Sequence, residues 1–537
     1  SGLARYAIGE LAYKATLGVR SGELEWSLQS DLKGLGLNLP APLNKDVNAI
    51  LPLSFQRILA SDINLVGQSL GPALQDRVRF AIGDTVIATY ERDLSFGRTR
   101  VMRGAVDIGL RAVDRTSLPD NGVNGYLSLD NLDVDAWQEV VDIMTKKSKV
   151  LSGGSVLSSV QEYFPNALAV QARELKAADR FLHNLVAGGT REGSTWKVNL
   201  SADELNGYIE YDADSEGGAG KVFARLDRLN LAERGQNDVE SLLTESATTT
   251  MPALDVVANA FELRGKNLGS LEVQATNKII LEGGQKNRQW LLETLKLITP
   301  EARLVGTGRW RINPKKSAGF EGNRQMTIDF DLTLSDSGKF LDRLGMKGVV
   351  SKGEGNLKGE VSWRGSPFKL DYPSMNGAFT VDVTKGQFLK VEEGLGKLLG
   401  VLSLQSLPRR LTLDFRDVFS EGFAFDFVRG YVRVEKGIAK TNNLQMKGVS
   451  AGVLLEGEAN ISKETQSVRV IVVPEINAGS VSLIASIINP VVGLSSFLAQ
   501  YILRTPLIDV NTKEFQIEGS WSDPEIKHIE PTENREK

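Results

Sequence analysis

The stretch MTIDFDLTL, residues 326–334, alternates apolar and polar side chains over its whole length. Because successive side chains of a β-strand point to opposite faces, this alternation predicts a strand with one apolar and one polar face. A strand buried in a parallel sheet would instead show a continuous apolar run. The stretch therefore favours an antiparallel sheet.

The same alternation recurs along most of the chain, for example in TWKVNL (195–200), AFTVDV (378–383) and GFAFDF (422–427). Turn signals such as Asp120-Asn121-Gly122 and Glu435-Lys436-Gly437 separate many of these segments. The sequence predicts a mainly β protein, with an elongated, twisted antiparallel sheet that curls into an apolar groove.

Helical patterns are few and short. DAWQEVVDIM places apolar residues at helical spacing, and Asp135 with Gln138 resembles a capping box, which predicts a helix near 131–147. A weaker, charge-rich pattern predicts a second helix near 168–187. The charge-free stretch 481–503 is interrupted by Asn489-Pro490 and predicts a pair of short helices within 478–504.

No linker of low complexity divides the 537 residues. We expect β-groove segments at 1–190 and 191–365, a C-terminal region at 366–526 and a flexible tail at 527–537. The absence of clear boundaries suggests one sheet extended by repeated hairpins.

An apolar face on every strand must be covered, and the predicted helices are too few to cover it. Stacked sandwiches would provide a second sheet. A trough would expose the face to a ligand, and burial of an acyl chain there is favoured by about 25 cal/mol per Å². Both alternatives are open from the pattern. The candidate lining residues are Ile328, Phe330, Leu332, Leu357, Val361, Phe379, Val381, Leu413, Phe423, Phe425, Phe427, Val453 and Leu455.

Composition argues against catalysis. The chain has no cysteine and two histidines, His183 and His528, so thiolate chemistry is excluded and multi-histidine sites are hard to build. The acidic residues alternate on polar strand faces, where they are solvated. The near balance of 63 basic and 67 acidic residues gives no basic face for nucleic acid. We expect no enzyme, cofactor, metal or nucleic-acid partner.

Several long motifs in the last third carry a resemblance. KGQFLK (385–390), GKLLGVLSLQSLPRRL (396–411), DFRDVFSEGFAFD (414–426) and VVPEINAG (472–479) resemble the C-terminal part of the YhdP proteins, a branch of the AsmA-like family. The upstream similarity is weaker but extends over most of the chain.

The resemblance implies a bridge-like lipid-transfer protein of the Gram-negative envelope. In such proteins an N-terminal helix anchors the chain in the inner membrane, and a β-groove carries phospholipid across the periplasm to the outer membrane. From the resemblance we expect this sequence to be a C-terminal fragment without that anchor. A second hypothesis is a non-enzymatic β-rich scaffold that assembles outer-membrane proteins through its sheet edges.

The predicted helical pair has two interpretations: core at the groove end, or a hairpin that dips into the inner leaflet of the outer membrane. Each helix, at about 11 residues, is too short to span a bilayer. The candidate membrane contacts are Ile484, Ile488, Val491, Leu494, Phe497 and Leu498. Arg409 and Arg410 are candidate contacts for phosphate head groups.

If the helical pair enters a membrane, Phe497→Asp should reduce flotation of the protein with liposomes, because a carboxylate is costly in an apolar layer. Flotation in a density gradient, with the unchanged protein as the reference, measures this. Equal flotation of both proteins would favour the core interpretation.

Overall fold

The computed structural model describes residues 5–20, 23–59, 74–95, 99–109, 117–140, 143, 162–177, 180–215, 220–231, 251–282, 285–312, 324–367, 370–389, 423–448, 451–474, 513–521 and 523–529. The chain divides into two compact units, Ser1–Leu229 and Asn230–Lys537. The boundary expected after residue 190 falls inside a strand, Arg180–Glu192.

The first unit is built from short and medium strands. They are β1 Ala7–Gly9, β2 Lys14–Arg20, β3 Glu23–Ser30, β4 Leu35–Leu37, β5 Leu53–Leu59, β6 Gln75–Ile82, β7 Val86–Asp93, β8 Arg100–Ile108, β9 Gly122–Asp133, β10 Ala167–Ala177, β11 Arg180–Glu192, β12 Thr195–Ser201, β13 Leu205–Asp212 and β14 Lys221–Leu231, whose last residues fall in the second unit.

Most neighbours in this unit pair antiparallel and in chain order. The exception is β9, which pairs parallel with both β8 and β10. Strands β1 and β4 form a separate two-stranded sheet.

The second unit contains longer strands. They are β15 Ala253–Leu263, β16 Lys266–Asn267, β17 Ser270–Glu282, β18 Gln285–Ile298, β19 Ala302–Ile312, β20 Arg324–Leu334, β21 Val350–Arg364, β22 Asn376–Phe388, β23 Phe423–Glu435, β24 Ile438–Gly448, β25 Ala451–Asn460, β26 Thr465–Pro474, β27 Lys513–Ser520 and β28 Pro524–Ile529.

From β17 to β28, each strand pairs antiparallel with the next one along the chain. The opening stretch 326–334 lies within β20, between β19 and β21. The prediction of a mainly β, twisted antiparallel sheet with few helices is confirmed.

The helix expected near 168–187 is wrong. These residues form the hairpin of β10 and β11, and β10 also pairs with β9. Ala, Leu, Glu and Lys favour helices by only a few tenths of a kcal/mol each. Strand pairing on both sides, together with burial of Ala172, Leu175 and Leu185 in one cluster, outweighs that preference.

The helix expected near 131–147 begins later than predicted. Residues 131–133 end β9, helix α1 begins at residue 134, and residues 134–140 and 143 are helical. Its start is capped by Asp133, whose Oδ1 accepts a hydrogen bond from the Ala136 N–H at 2.9 Å, and not by Asp135. Lys527 and His528, which were expected to begin a flexible tail, belong to β28.

Helix α2, Ser337–Arg343, connects β20 to β21. Asp336 caps it: its Oδ1 accepts a hydrogen bond from the Lys339 N–H at 3.0 Å. A 3₁₀ turn, Tyr372–Ser374, precedes β22. The predicted helical pair within 478–504 lies outside the described residues.

Gly359 lies at a close approach between β21 and β22. It is directly opposite Phe330 on one side and Phe379 on the other, and these two rings lie 6.3 Å apart. A Cβ at residue 359 would lie 2.2 Å from the Ala378 carbonyl oxygen. Only glycine fits here without movement of the backbone.

Gly359→Ala should lower the free energy of unfolding by about 1–3 kcal/mol, because the added methyl forces the two strands apart. Urea titration followed by circular dichroism measures the change. Gly188→Ala is the matched control, since a Cβ in that strand meets no atom within 4 Å. An equal loss in both variants would contradict the close-approach explanation.

Candidate apolar binding site

The central strands of the second unit share a continuous apolar face. In register, Leu332 of β20 lies opposite Leu357 of β21, which lies opposite Val381 of β22. Four residues along the same face, Ile328 lies opposite Val361. These predicted lining residues therefore occupy one face of three adjacent strands, as the alternation requires.

The opposite face of the same strands carries cross-strand ion pairs. Asp331 and Lys358 approach to 3.7 Å, Arg309 and Glu360 to 3.4 Å, and Asp382 and Arg429 to 2.9 Å. These groups are largely exposed, so each pair adds little stability. Their effect is to keep this face hydrated while the other face stays apolar.

At one position along the strands, the alternation of faces is interrupted, and the other set of alternate residues then points to the apolar side. Lys352 and Gly353 in β21 and Lys385 in β22 have positive φ, at 58°, 93° and 56°. In β23 the pairing with β24 shifts between Phe425 and Phe427. Each irregularity turns the following residues over, as β-bulges do.

Because of this change, the apolar residues before and after the irregular positions point to the same face of the sheet. Phe425 and Val428 both line the same cavity although three residues separate them. Phe427, next to Val428, therefore points to the opposite face, where the Arg429 guanidinium lies 4.6 Å from its ring centre. Its predicted place with Phe425 in one lining ladder is wrong, because the alternation is broken between them.

These side chains and helix α2 line a partly open cavity of about 220 Å³. The described residues that line it are Leu332, Leu334, Ser337, Phe340, Leu341, Val350, Leu357, Val381, Val383, Phe388, Phe425 and Val428. Ser337 has the one polar side chain in this set, and its hydroxyl donates a hydrogen bond to the Lys352 carbonyl at 2.8 Å. The cavity thus offers apolar contact and no polar group that needs a partner.

Helix α2 is held over this face by its C-terminal end. Arg343 binds Glu301 through two hydrogen bonds, Nε to Oε1 at 2.6 Å and Nη2 to Oε2 at 3.1 Å, and donates to the Asn267 carbonyl at 2.9 Å. Burial is the largest single influence on the pKa of Glu301 and raises it, but the hydrogen bonds and charge of Arg343, together with hydrogen bonds from the Glu301 backbone and Thr299, leave that pKa below its ordinary value. The carboxylate is therefore ionised and keeps the helix in place.

Three other predicted lining residues lie in a closed core. Phe423, Val453 and Leu455 are at most 2% exposed, and they pack in one cluster with residues of β24, β26 and β27. Every residue of Ala451–Leu455 is buried, so both faces of β25 are covered there. A ligand reaches these side chains only if the core opens.

A row of large side chains crosses the second unit at the far end of β20. Trp290, Trp310, Met326 and Trp363 lie opposite one another on β18, β19, β20 and β21, and all four are buried. The three indole N–H groups donate to backbone carbonyls at 2.8–2.9 Å. Ile328 and Val361 pack against this row.

The tryptophan row was not among the predicted site residues. Each indole stands alone in its own strand, and only the register of four strands brings them together. The one signal in the sequence was the alternation that places Trp363 on the same strand face as Leu357 and Val361.

The first unit also has an apolar face. Trp26 stacks on Phe55 with 4.3 Å between ring centres. In register, Phe55 lies opposite Phe80, and the buried Val78 shares their face two residues along β6. The aromatic side chains in this group are only half-buried.

His183 has partners that sequence did not reveal. Its Nδ1 is hydrogen-bonded to Glu204, and Glu174 lies 3.8 Å from its Nε2. The hydrogen bond to Glu204 raises the pKa of this exposed imidazole. Among the described residues no group of three or more acidic or histidine side chains is arranged to hold a metal ion.

Nine predicted site residues lie outside the described part of the chain. They are Leu413, the head-group candidates Arg409 and Arg410, and the membrane candidates Ile484, Ile488, Val491, Leu494, Phe497 and Leu498. Within the described ranges, no helix has the length and apolar character needed to cross a bilayer.

Comparison with known proteins agrees with the resemblance of the motifs. The sequence is 28% identical over 237 residues to the intermembrane phospholipid transporter YhdP of Escherichia coli K12. The aligned segment covers 44% of this chain but only 18% of that relative. No solved structure matches the sequence significantly.

A family comparison covers nearly the whole chain. The family described as YhdP protein matches residues 1–526, which include both units and the quoted motifs. The chain therefore belongs to the YhdP family.

Proposed function

We propose that this chain binds phospholipid acyl chains on the apolar faces of its sheets and forms part of a lipid path between the inner and outer membranes. The observation that carries the proposal is the cavity at Leu332, Leu357 and Val381, whose lining is apolar and whose single polar side chain is satisfied internally. Such a site suits a hydrocarbon chain and disfavours a polar ligand.

The known relative supports the choice of ligand. The Escherichia coli protein is described as an intermembrane phospholipid transporter. Since the match covers a small part of that protein, transfer between membranes, an envelope location and a role in outer-membrane lipid balance are parts of the proposal. The role is non-enzymatic, and the acyl chain is the group that the site recognises.

The separation of the two sheet faces gives a physical reason for the path. Apolar side chains on β20, β21 and β22 continue in register from strand to strand, so an acyl chain meets similar contacts at each strand. The ion pairs on the opposite face keep that side in water. A lipid gains by contact with one face only.

Leu357→Gln should reduce bound phospholipid at least about fivefold, because an unpaired amide in the cavity costs about 1–3 kcal/mol. Native mass spectrometry of protein incubated with dioleoyl phosphatidylethanolamine vesicles measures the bound fraction. Lys358→Gln is the matched control: it places the same amide on the next residue of β21, on the hydrated face. Equal binding by both variants would contradict the assignment of this face.

Leu341→Phe tests the same cavity without a polar group. The larger, wholly apolar ring fills empty volume beneath helix α2, so the folded protein should bind less lipid while its thermal stability is kept or raised. Undiminished binding with an unchanged fold would show that lipid occupies another place.

A further inference from the structure

A charged cluster occupies one end of the apolar face in the first unit. Asp76 of β6 is wholly buried and binds two arginines. Arg57 Nε lies 2.6 Å from Oδ2, and Arg92 approaches with Nε at 2.8 Å from Oδ1 and Nη2 at 2.6 Å from Oδ2. The Arg92 contact is therefore bidentate.

Strand register places this cluster beside aromatic side chains. Asp76 lies opposite Arg92 on β7, and Val78, two residues along β6, lies opposite Arg57 and Tyr90. The next step along the same face brings Phe80 and Phe55. Charged and apolar groups thus follow each other on one face at a spacing of about 7 Å per step.

Tyr163 completes the cluster from the segment that leads into β10. Its ring meets Tyr90 edge-on at 5.2 Å, and its backbone carbonyl accepts a hydrogen bond from the Tyr90 hydroxyl at 3.1 Å. Arg92 Nη1 donates to the Tyr163 hydroxyl at 3.0 Å. That hydroxyl keeps its own hydrogen to donate, and no acceptor for it lies among the described residues.

Stability alone is a weak reason for such a cluster. Removal of charges from water usually costs as much as a buried ion pair returns, and apolar residues of similar size serve a core at least as well. Burial, with the neighbouring Tyr163 hydroxyl, also raises the pKa of Tyr90 to about 12, so this hydroxyl stays protonated. Charges retained beside an apolar strip fit a ligand that has both kinds of group.

We propose that Arg92 and Tyr163 bind the phosphate of a phospholipid whose acyl chain lies on the neighbouring row of Val78, Phe80 and Phe55. This assignment rests on the proposed function and adds the place where the head group is recognised. Asp76 and the Tyr90 hydroxyl are positioning groups, which hold Arg92 and Tyr163 respectively. A phosphate from a lipid and a free phosphate share this chemistry, so the test separates them.

The test compares two lipids with the same acyl chains, dioleoyl phosphatidylglycerol and dioleoylglycerol, which lacks the phosphate. Native mass spectrometry of the full chain in detergent micelles gives the ratio of the two bound lipids. The unchanged protein should prefer the phospholipid, and Tyr163→Phe and Arg92→Lys should each reduce the preference by about tenfold, the usual value of one hydrogen bond to a charged group. Binding of dioleoylglycerol should stay constant, which shows that the variants are folded.

Matched controls exist in the same unit. Arg79→Lys changes an arginine on the opposite face of β6, and Tyr211→Phe removes the hydroxyl of an exposed tyrosine. Both should leave the preference unchanged.

Three results would overturn the assignment. If all variants showed the same preference for phospholipid, this head-group site would be excluded. Phospholipid bound in that experiment would still support the proposed function. An unchanged protein that binds neither lipid would contradict the proposed function, and this site with it. The third result is a free-anion site. It would be identified if ³¹P NMR showed that the unchanged protein binds inorganic phosphate, that Tyr163→Phe abolishes this binding, and that the lipid preference is unaltered.

Discussion

The structure depends on one constraint: an antiparallel sheet with an apolar face must remove that face from water. The second unit meets the constraint in different ways along its length. Helix α2 covers the face at Leu332 and Val381, the buried tryptophan row continues it beyond Ile328, and β25 is buried on both sides. Beneath α2 the described side chains leave an apolar cavity of about 220 Å³.

Local alternation was enough to place several candidate lining residues on one face of the sheet. Leu332, Leu357 and Val381 were identified because each belongs to a short, regular run, and register then brings them together. Phe427 was misassigned because its run looks regular although the β23–β24 pairing shifts beside it. The helix expected at 168–187 failed for a related reason: pairing with β9 and β11 is a tertiary effect, which exceeds the weak preference of single residues.

The polar groups on the apolar faces have different kinds of partner in the two units. In the second unit, the Ser337 hydroxyl and the indole of Trp310 are satisfied by backbone carbonyls, so they add no affinity for a polar ligand. In the first unit, Arg92 binds Asp76 on a face that also carries Val78, Phe80 and Phe55. In the proposed function, the first arrangement favours hydrocarbon alone, whereas the second also favours a phosphate at one end of it.

The backbone is strained where the described strands of the second sheet turn over. Lysine at positive φ costs about 1–2 kcal/mol relative to the ordinary β region, and both Lys352 and Lys385 adopt it on neighbouring strands. Without the turnover, Val350 and Phe388 would point to the hydrated face and the cavity would lose one wall. Strain of this kind persists where the surrounding structure requires it, often at functional sites. The backbone strain at the two lysines therefore has a consequence for the cavity. It allows residues before and after the irregular positions to line the same apolar surface.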